Sequence, residues 1–276
     1  AIAFPNEKFY FLKCNTKKIS DVFPDSRREQ GICEKITDEI KNCIPKCGKD
    51  KKTCFEIAKW RKNTAIAVKL KKKFYDAENN NTIKLLQNVP FWVVTYHMPC
   101  TWWDRRIMSI HTVSLCNFID NITNNNIPCI LGIDFNSSPT TDQYNILTKG
   151  YSEGVDDELR KDDPKWGKIY EPFTLFKSSY KLIHEKEPIC TNYAFCKKSG
   201  EEFKETIDYI FITKGISVYS AKKLEDQTEF LPNKDNPSDH LPLECELLIK
   251  FKMTLSDIDE DLNEEKNNIV GNKKND

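Results

Sequence analysis

Short apolar segments alternate with polar stretches along this chain of 276 residues. Several segments are rich in β-branched and aromatic residues and are bounded by turn-forming residues, which is typical of β-strands. Apolar residues recur at helical spacing between positions 107 and 118, and Thr140 or Thr141 can cap a helix that runs through Leu147. The strands that this pattern predicts cover residues 64–70, 91–100, 127–131, 206–212 and 243–249.

A carboxylate and an amide, Asp134 and Asn136, stand two residues apart just after the apolar segment 127–131. Residues i and i+2 of a strand point to the same side, so we expect the two side chains to converge. Such a pair suits a hard divalent cation, a water molecule to be activated, or a phosphate oxygen. The alternative is that a turn alone favours Asp, Asn and Ser at these positions.

Two further segments carry polar residues of the same kind. Asp208 is a single carboxylate inside an apolar run, where it is costly unless it has a partner. An imidazole is its natural partner, because the carboxylate would orient the ring and keep it charged. Asp239 and His240 place an acid and an imidazole side by side just before the last predicted strand.

The chain has only four histidines, and two of them, His97 and His240, lie at the ends of apolar strands. The alternative for His97 is a structural role, as a residue of the core or its rim whose hydrogen bonds are satisfied. His111 falls on the apolar side of the predicted helix, so we expect a core residue there rather than a catalyst.

In chain order, these segments resemble the endonuclease/exonuclease/phosphatase superfamily, the Mg²⁺-dependent phosphodiesterases that include DNase I. The resemblance covers about residues 65–251 and rests on G-I-D-F-N-S-S-P at 132–139, T-I-D-Y-I-F at 206–211 and S-D-H-L-P-L at 238–243. Within the superfamily, the segments 175–180 and 187–193 are similar to the CCR4/nocturnin/2′-phosphodiesterase branch.

The resemblance implies an α/β fold, namely a DNase I-like four-layer α/β sandwich of two mixed β-sheets flanked by helices. It also implies a Mg²⁺ cofactor, with Mn²⁺ as the alternative. Asp134 would orient or deprotonate the attacking water, and His240, oriented by Asp208, would stabilise the transition-state charge. The implied metal ligands are Asp239, Asp134, Asn136 and His240; Asn136 would also hold the phosphate or the water, His97 would be a second phosphate or leaving-group contact, and Asn192 would contact the substrate.

Aromatic and basic residues follow His97 directly along the chain, at Trp102, Trp103, Arg105 and Arg106. Aromatic faces and guanidinium groups there would hold a base and a phosphate. The alternative is that the tryptophans cover the edge of the core and the arginines are solvated.

The leading prediction is therefore Mg²⁺-dependent hydrolysis of a phosphodiester in RNA or a nucleotide, by an exonuclease, deadenylase-like enzyme or 2′-phosphodiesterase. An inositol- or lipid-phosphate phosphodiesterase is the alternative enzyme, and a catalytically inactive scaffold on the same fold is the alternative outside catalysis. With 42 basic and 42 acidic residues, no global charge attracts nucleic acid, so any such binding is local. We expect a monomer, with protein partners unknown.

The chain departs from the superfamily in one respect. Members of the superfamily carry a metal-binding Glu in a Gln-Glu pair, and this pair lies upstream of the position that corresponds to Ala1. Segment 1–5 looks like a later strand, and Glu7 in the polar loop after it is not assigned the metal role. We expect that the first part of the fold is lacking and that residues 1–276 alone are poorly folded or inactive. The alternative is a non-catalytic relative that has lost the Glu.

The predicted organisation is one catalytic domain over residues 1–252, with a helical insertion at about 15–59 and a disordered acidic, Asn/Lys-rich tail over 253–276. The insertion contains Cys33, Cys43, Cys47 and Cys54, whose spacing matches no paired zinc pattern. Ile36, Ile40 and Cys43/Ile44 fit the apolar face of a helix there, so a zinc site is the less favoured alternative. Eleven cysteines, several inside apolar strands, favour a reducing compartment, here the cytoplasm or nucleus. No apolar run approaches the roughly 18 residues of a membrane span.

Overall fold

The computed structural model describes residues 1–22, 54–72, 90–124, 126–150, 174–196 and 200–249. The helices are α1 Cys54–Trp60, α2 Arg105–Thr123, α3 Asp142–Lys149 and α4 Ser179–His184, with a 3₁₀ turn at Ile19–Asp21. The strands are β1 Phe9–Lys18, β2 Thr64–Lys72, β3 Pro90–His97, β4 Cys129–Asp134, β5 Lys177–Ser178, β6 Asn192–Cys196, β7 Glu201–Glu205, β8 Asp208–Ile212, β9 Ile216–Ala221 and β10 Cys245–Ile249.

Six strands form a mixed sheet in the order β1-β2-β3-β4-β8-β5. Strands β3 and β4 are parallel and are connected through α2, as a parallel pair requires, whereas β4 and β8 are antiparallel. The strands β9 and β10 form one two-stranded antiparallel ribbon, and β6 and β7 form another. The predicted mixed α/β class is therefore confirmed.

The main core lies between this sheet and helix α2. Leu115 and Ile119 of the helix belong to the same buried cluster as Leu131 of β4 and Phe211 of β8. His111 is fully buried in α2, where its ring nitrogens lie 2.8 Å from the Tyr96 hydroxyl and 3.0 Å from the Ala58 carbonyl oxygen. His111 is thus a satisfied core residue, as the helical spacing predicted.

Caps fix the starts of the two helices that flank the β3–β4 strand ends. The Asp104 side chain accepts a hydrogen bond from the Arg106 backbone N–H at the start of α2. Thr141 caps α3 through the Tyr144 backbone N–H, which confirms the predicted cap. Gly150 ends α3 with φ of 83°, a left-handed conformation that glycine adopts without strain.

One prediction about the first part of the chain is wrong. Residues 1–5 are not a strand; Pro5 has no backbone N–H to give a sheet, and its carbonyl accepts from the Lys8 and Phe9 N–H groups in a turn. The strand instead begins at Phe9 and pairs with β2 up to Lys18, so residues 15–18 belong to the sheet, while most of the insertion predicted over about 15–59 lies outside the described residues. Strand β1 opens with the apolar run F-Y-F-L, but most of its residues are exposed and its second half is polar.

The remaining expectations about chain organisation lie largely outside the described residues. These include Cys33, Cys43, Cys47 and the tail 253–276; Cys54 is buried in α1. The cysteines whose side chains are described are free thiols: Cys14, Cys54, Cys100, Cys116, Cys129, Cys190 and Cys245. Within the described part of the chain, no helix is both long and apolar enough to cross a membrane.

Candidate active site

Three strand ends bring acidic residues and an imidazole together at one edge of the six-stranded sheet. His97 ends β3 opposite Asp134 in the parallel register, and Asp134 ends β4 opposite Asp208, the first residue of antiparallel β8. The His97 Nε2 lies 3.3 Å from the Asp134 Oδ2. Ligand atoms of Asp134, Asp208 and His240 all lie within 4.8 Å of one another.

Asp208 and His240 form a hydrogen-bonded dyad. The His240 Nδ1 lies 2.8 Å from the Asp208 Oδ2, and a carboxylate can only accept, so Nδ1 carries the proton. The other ring nitrogen, Nε2, lies 3.9 Å from the Asp239 Oδ2. The ring therefore presents Nε2 to the side on which the exposed Asp239 carboxylate lies.

The hydroxyl of Thr191 binds the same oxygen of Asp208. Thr191 is fully buried, and its Oγ1 donates to the Asp208 Oδ2 over 2.7 Å. Its backbone carbonyl accepts from the Leu241 N–H at 2.8 Å, which ties Thr191 to the segment that carries His240.

Asn136 reaches the site by a different route from the one predicted. Strand β4 ends at Asp134, and Asn136 lies beyond it in the left-handed region with φ of 48°, so strand alternation does not place its side chain. Its backbone N–H donates to the Asp134 Oδ1 at 3.2 Å, and its Nδ2 donates to the Met98 carbonyl at 2.9 Å. The turn that was the alternative explanation for Asp and Asn at these positions is thus present. The same turn keeps Asn136 beside Asp134.

The electrostatics of the cluster reflect crowded negative charge. Burial, followed by the nearby Asp208 carboxylate, raises the pKa of Asp134, although His97 and His240 act in the opposite direction. Burial acts to lower the pKa of His240, but the hydrogen bond and charge of Asp208, with Asp134 and Asp239, outweigh it and raise that pKa.

This donor set fits a hard divalent cation. Asp134 offers a carboxylate oxygen within the cluster, and the exposed Asp239 carboxylate lies 3.9 Å from the Nε2 of His240, whereas the Oδ2 of Asp208 already accepts two hydrogen bonds. A cation beside Asp134 would also relieve the repulsion that raises the pKa of this carboxyl.

The predicted substrate contacts divide into two groups. Asn192, the first residue of β6, is buried and pairs with His240 in an isolated antiparallel bridge, so it lies directly beside the dyad. Trp102 and Arg105 follow the β3 end and are exposed; Trp102 is 77% exposed and does not cover the core. Arg106 is instead held by Asp104 through two bonds of 2.9 Å.

Three contributors to the site were not predicted from the sequence, namely Thr191, Asn63 and the Met98 carbonyl. The Asn63 Nδ2 donates to the His97 carbonyl at 2.8 Å and so supports the end of β3. Thr191 precedes Asn192 in segment 187–193, which resembles the CCR4/nocturnin branch. This resemblance is the sequence signal that lay closest to Thr191. Backbone carbonyls such as that of Met98 leave no signal in a sequence.

Two known proteins are similar to this chain in sequence. The chain is similar to the CCR4-Not complex 3′-5′-exoribonuclease subunit Ccr4 of Aspergillus oryzae, with 33% identity over 137 residues, which are 46% of this chain and 17% of that protein. It is also similar to human Nocturnin, with 28% identity over 162 residues, which are 55% of this chain and 32% of Nocturnin. Over about half of its length the chain is thus similar to Ccr4 and Nocturnin, and it has the endonuclease/exonuclease/phosphatase fold.

A solved structure agrees with this fold assignment. ANGEL2, a 2′,3′-cyclic phosphatase in complex with adenosine-2′,3′-vanadate, aligns with a TM-score of 0.56 at 16% identity, over 90% of this chain and 70% of that chain. No protein-family model matches the chain. The stretch matched to Ccr4 and Nocturnin spans less than a third of the length of either protein.

Proposed function

We propose that this protein is a divalent-metal-dependent hydrolase of phosphodiester bonds in RNA or nucleotides. The observation that carries the proposal is the cluster that Asp134 and Asp208, at adjoining strand ends, form with His240. The similarity to Ccr4, named as an exoribonuclease subunit, supports RNA as the substrate class. ANGEL2, named as a cyclic phosphatase bound to an adenosine vanadate, supports a nucleotide.

Asp134 is the proposed base for the attacking water. Its raised pKa makes the carboxylate a stronger proton acceptor than an ordinary aspartate. Asn136 is fixed beside it, and one N–H of its side-chain amide remains after the bond to Met98 to hold the phosphate or the water.

His240 is the proposed donor to the phosphate. Asp208 holds the Nδ1 proton, so a protonated His240 would donate from Nε2 to a phosphate oxygen as negative charge develops there. The raised pKa of His240 favours that charged form. His97, which is largely exposed at the edge of the cluster, is the proposed second phosphate or leaving-group contact.

Asp239 and Asp134 would hold the divalent cation, Mg²⁺ or Mn²⁺, with Asn136 and His240 at the same edge. When bound, the ion would neutralise charge on the phosphate and on the attacking oxygen. Asn192, Trp102 and Arg105 are the proposed substrate contacts, with Asn192 beside the dyad and the exposed Trp102 available for base stacking.

The cytoplasm or nucleus remains the proposed location. Ccr4 is named as a subunit of a complex, so the relatives give the expected monomer no support.

The proposal is tested with protein expressed from its complete reading frame. It is assayed with Mg²⁺ and with EDTA on three substrates: a single-stranded RNA oligonucleotide, a dinucleotide and a soluble inositol phosphate. We expect Mg²⁺-dependent release of nucleotides from RNA or the dinucleotide. Hydrolysis of the inositol phosphate alone would favour the lipid-phosphate alternative, and no hydrolysis of any substrate would favour the inactive scaffold.

A further inference from the structure

We propose that Thr191 is a positioning residue that fixes the Asp208–His240 dyad for catalysis. The inference rests on the proposed function, because it assigns Thr191 a part in the same reaction. Thr191 does not reach the reacting atoms through any bond described above; it acts through the Asp208 carboxylate.

The hydrogen bonds of the Thr191 hydroxyl determine which way its proton points. A hydroxyl has one proton and two acceptor sites. Both acceptor sites of the Thr191 Oγ1 are used by backbone N–H groups, those of Ile207 and Asp208, each at 3.0 Å. Because an N–H can only donate, the hydroxyl proton is directed to the remaining partner, the Asp208 Oδ2 at 2.7 Å.

The backbone of Thr191 holds the second half of the dyad. Its N–H donates to the Glu205 carbonyl at 3.0 Å, and its carbonyl accepts from Leu241 at 2.8 Å. The neighbouring residue Asn192 bridges to His240. Thr191 therefore joins the start of β8, which carries Asp208, to the segment that carries His240.

These contacts separate two effects of Thr191. The backbone contacts align the two segments and survive any side-chain substitution that folds. The hydroxyl fixes the rotation of the Asp208 carboxylate, and hence the direction of the His240 ring, and it also accepts the Ile207 and Asp208 N–H groups at the start of β8. Loss of the hydroxyl is expected to lower kcat rather than to raise KM, because the affected groups act on the transition state.

The test compares Thr191→Val, which removes the hydroxyl at similar volume, with Thr191→Ser, which keeps it. Thr213→Val is the matched control, since the buried Thr213 hydroxyl also accepts a backbone N–H, that of Cys129 at 2.8 Å, at the opposite end of β8. We expect kcat to fall by about 10- to 100-fold in Thr191→Val, as for other outer partners of catalytic groups. Thr191→Ser and Thr213→Val are expected to stay close to wild type in both kcat and KM.

A second readout needs neither metal nor substrate. In metal-free protein with ¹⁵N-labelled histidine, the His240 Nδ1–H signal is expected in wild type and Thr191→Ser and is expected to weaken or vanish in Thr191→Val. If Thr191→Val does not fold, Thr191→Cys, whose thiol is only a weak donor, replaces it.

Two results would overturn the inference: an unchanged kcat and Nδ1–H signal in Thr191→Val, or an equal loss of kcat in Thr213→Val. Failure of the proposed function is distinguishable from both. In that case wild-type protein hydrolyses no phosphodiester, while the Nδ1–H signal still reports whether Thr191 orients the dyad.

Discussion

The Asp208 carboxylate receives two hydrogen bonds on a single oxygen, one from Thr191 and one from His240. Because these bonds fix the position of the His240 ring, its other nitrogen, Nε2, points in one defined direction. The Asp208 carboxylate also supplies the negative charge that opposes the effect of burial on the pKa of His240.

Asp208→Asn removes this charge while it keeps the size of the side chain. We expect the variant to fold and its kcat to fall by about 10²-fold or more, because His240 loses the anion that stabilises its charged form. The measurement is steady-state hydrolysis of RNA beside thermal unfolding. Asp21→Asn, a change at an exposed surface ion pair, is the control and is expected to behave as wild type; unchanged turnover in Asp208→Asn would make Asp208 purely structural.

His111 gives a prediction about stability and pH. Burial, opposed by the bond to Ala58 and assisted by the Arg61 charge, lowers the pKa of His111 to about 4. In the unfolded chain the pKa is about 6.5, so the unfolded state takes up a proton first as the pH falls. The contribution of His111 to stability is therefore complete above about pH 6.5 and decreases toward pH 4.

The variant His111→Gln tests this pH dependence. Glutamine can bond to Tyr96 and Ala58 but does not titrate. Between pH 7 and pH 4.5, the free energy of unfolding is expected to fall by about 2–3 kcal/mol more in wild type than in the variant, measured by urea unfolding. Equal pH dependence in the two proteins would contradict a buried neutral histidine.

At the scale of the elements, the start of α2 combines a helix cap with an ion pair. Asp104 accepts from the Arg106 backbone N–H at 3.1 Å and from its guanidinium through two bonds of 2.9 Å. Because Arg106 is engaged in this way, Arg105 is the one of the two arginines that we propose as a substrate contact.

Asp104→Ala is expected to lower the free energy of unfolding by about 1–2 kcal/mol, since the capped N–H loses its acceptor. Asp104→Asn keeps a cap oxygen and loses the charge, so its cost is expected to be smaller. Urea unfolding at neutral pH measures both. A neutral effect of Asp104→Ala would show that the cap adds nothing to the stability of α2.

The strands that could be predicted are those in which local composition and burial agree. Strands β2, β3, β4 and β8 are apolar and β-branched because the core covers them, and the sequence pattern found each of them. Strand β1 is largely exposed, and its apolar first half, F-Y-F-L, runs without alternation into a polar second half, so the pattern did not predict it. We predicted that Asn136 continues the strand alternation beyond Asp134. The strand instead ends at Asp134, and Asn136 itself has a left-handed conformation.

At the scale of the whole molecule, the order of the strands depends on contacts between distant residues. Strand β8 lies between β4 and β5, and no local pattern specifies that neighbourhood. The sequence motifs indicated which polar residues to consider, whereas the register of β4 with β8 brings Asp134 opposite Asp208. The role of Thr191 follows only from its hydrogen bonds to residues in other elements, which the sequence does not specify.

Hydrolysis of phosphodiester bonds with a divalent cation is the role that we propose for this edge of the sheet, and a comparison of two proteins with and without the cation tests it. Protein from the complete reading frame, as wild type and as Asp134→Asn, is incubated with an end-labelled single-stranded RNA oligonucleotide in Mg²⁺ or in EDTA. We expect hydrolysis by wild type in Mg²⁺, none in EDTA, and a loss of about 10²-fold or more in the variant. Hydrolysis that persists in EDTA, or equal rates for the two proteins, would contradict the proposed role.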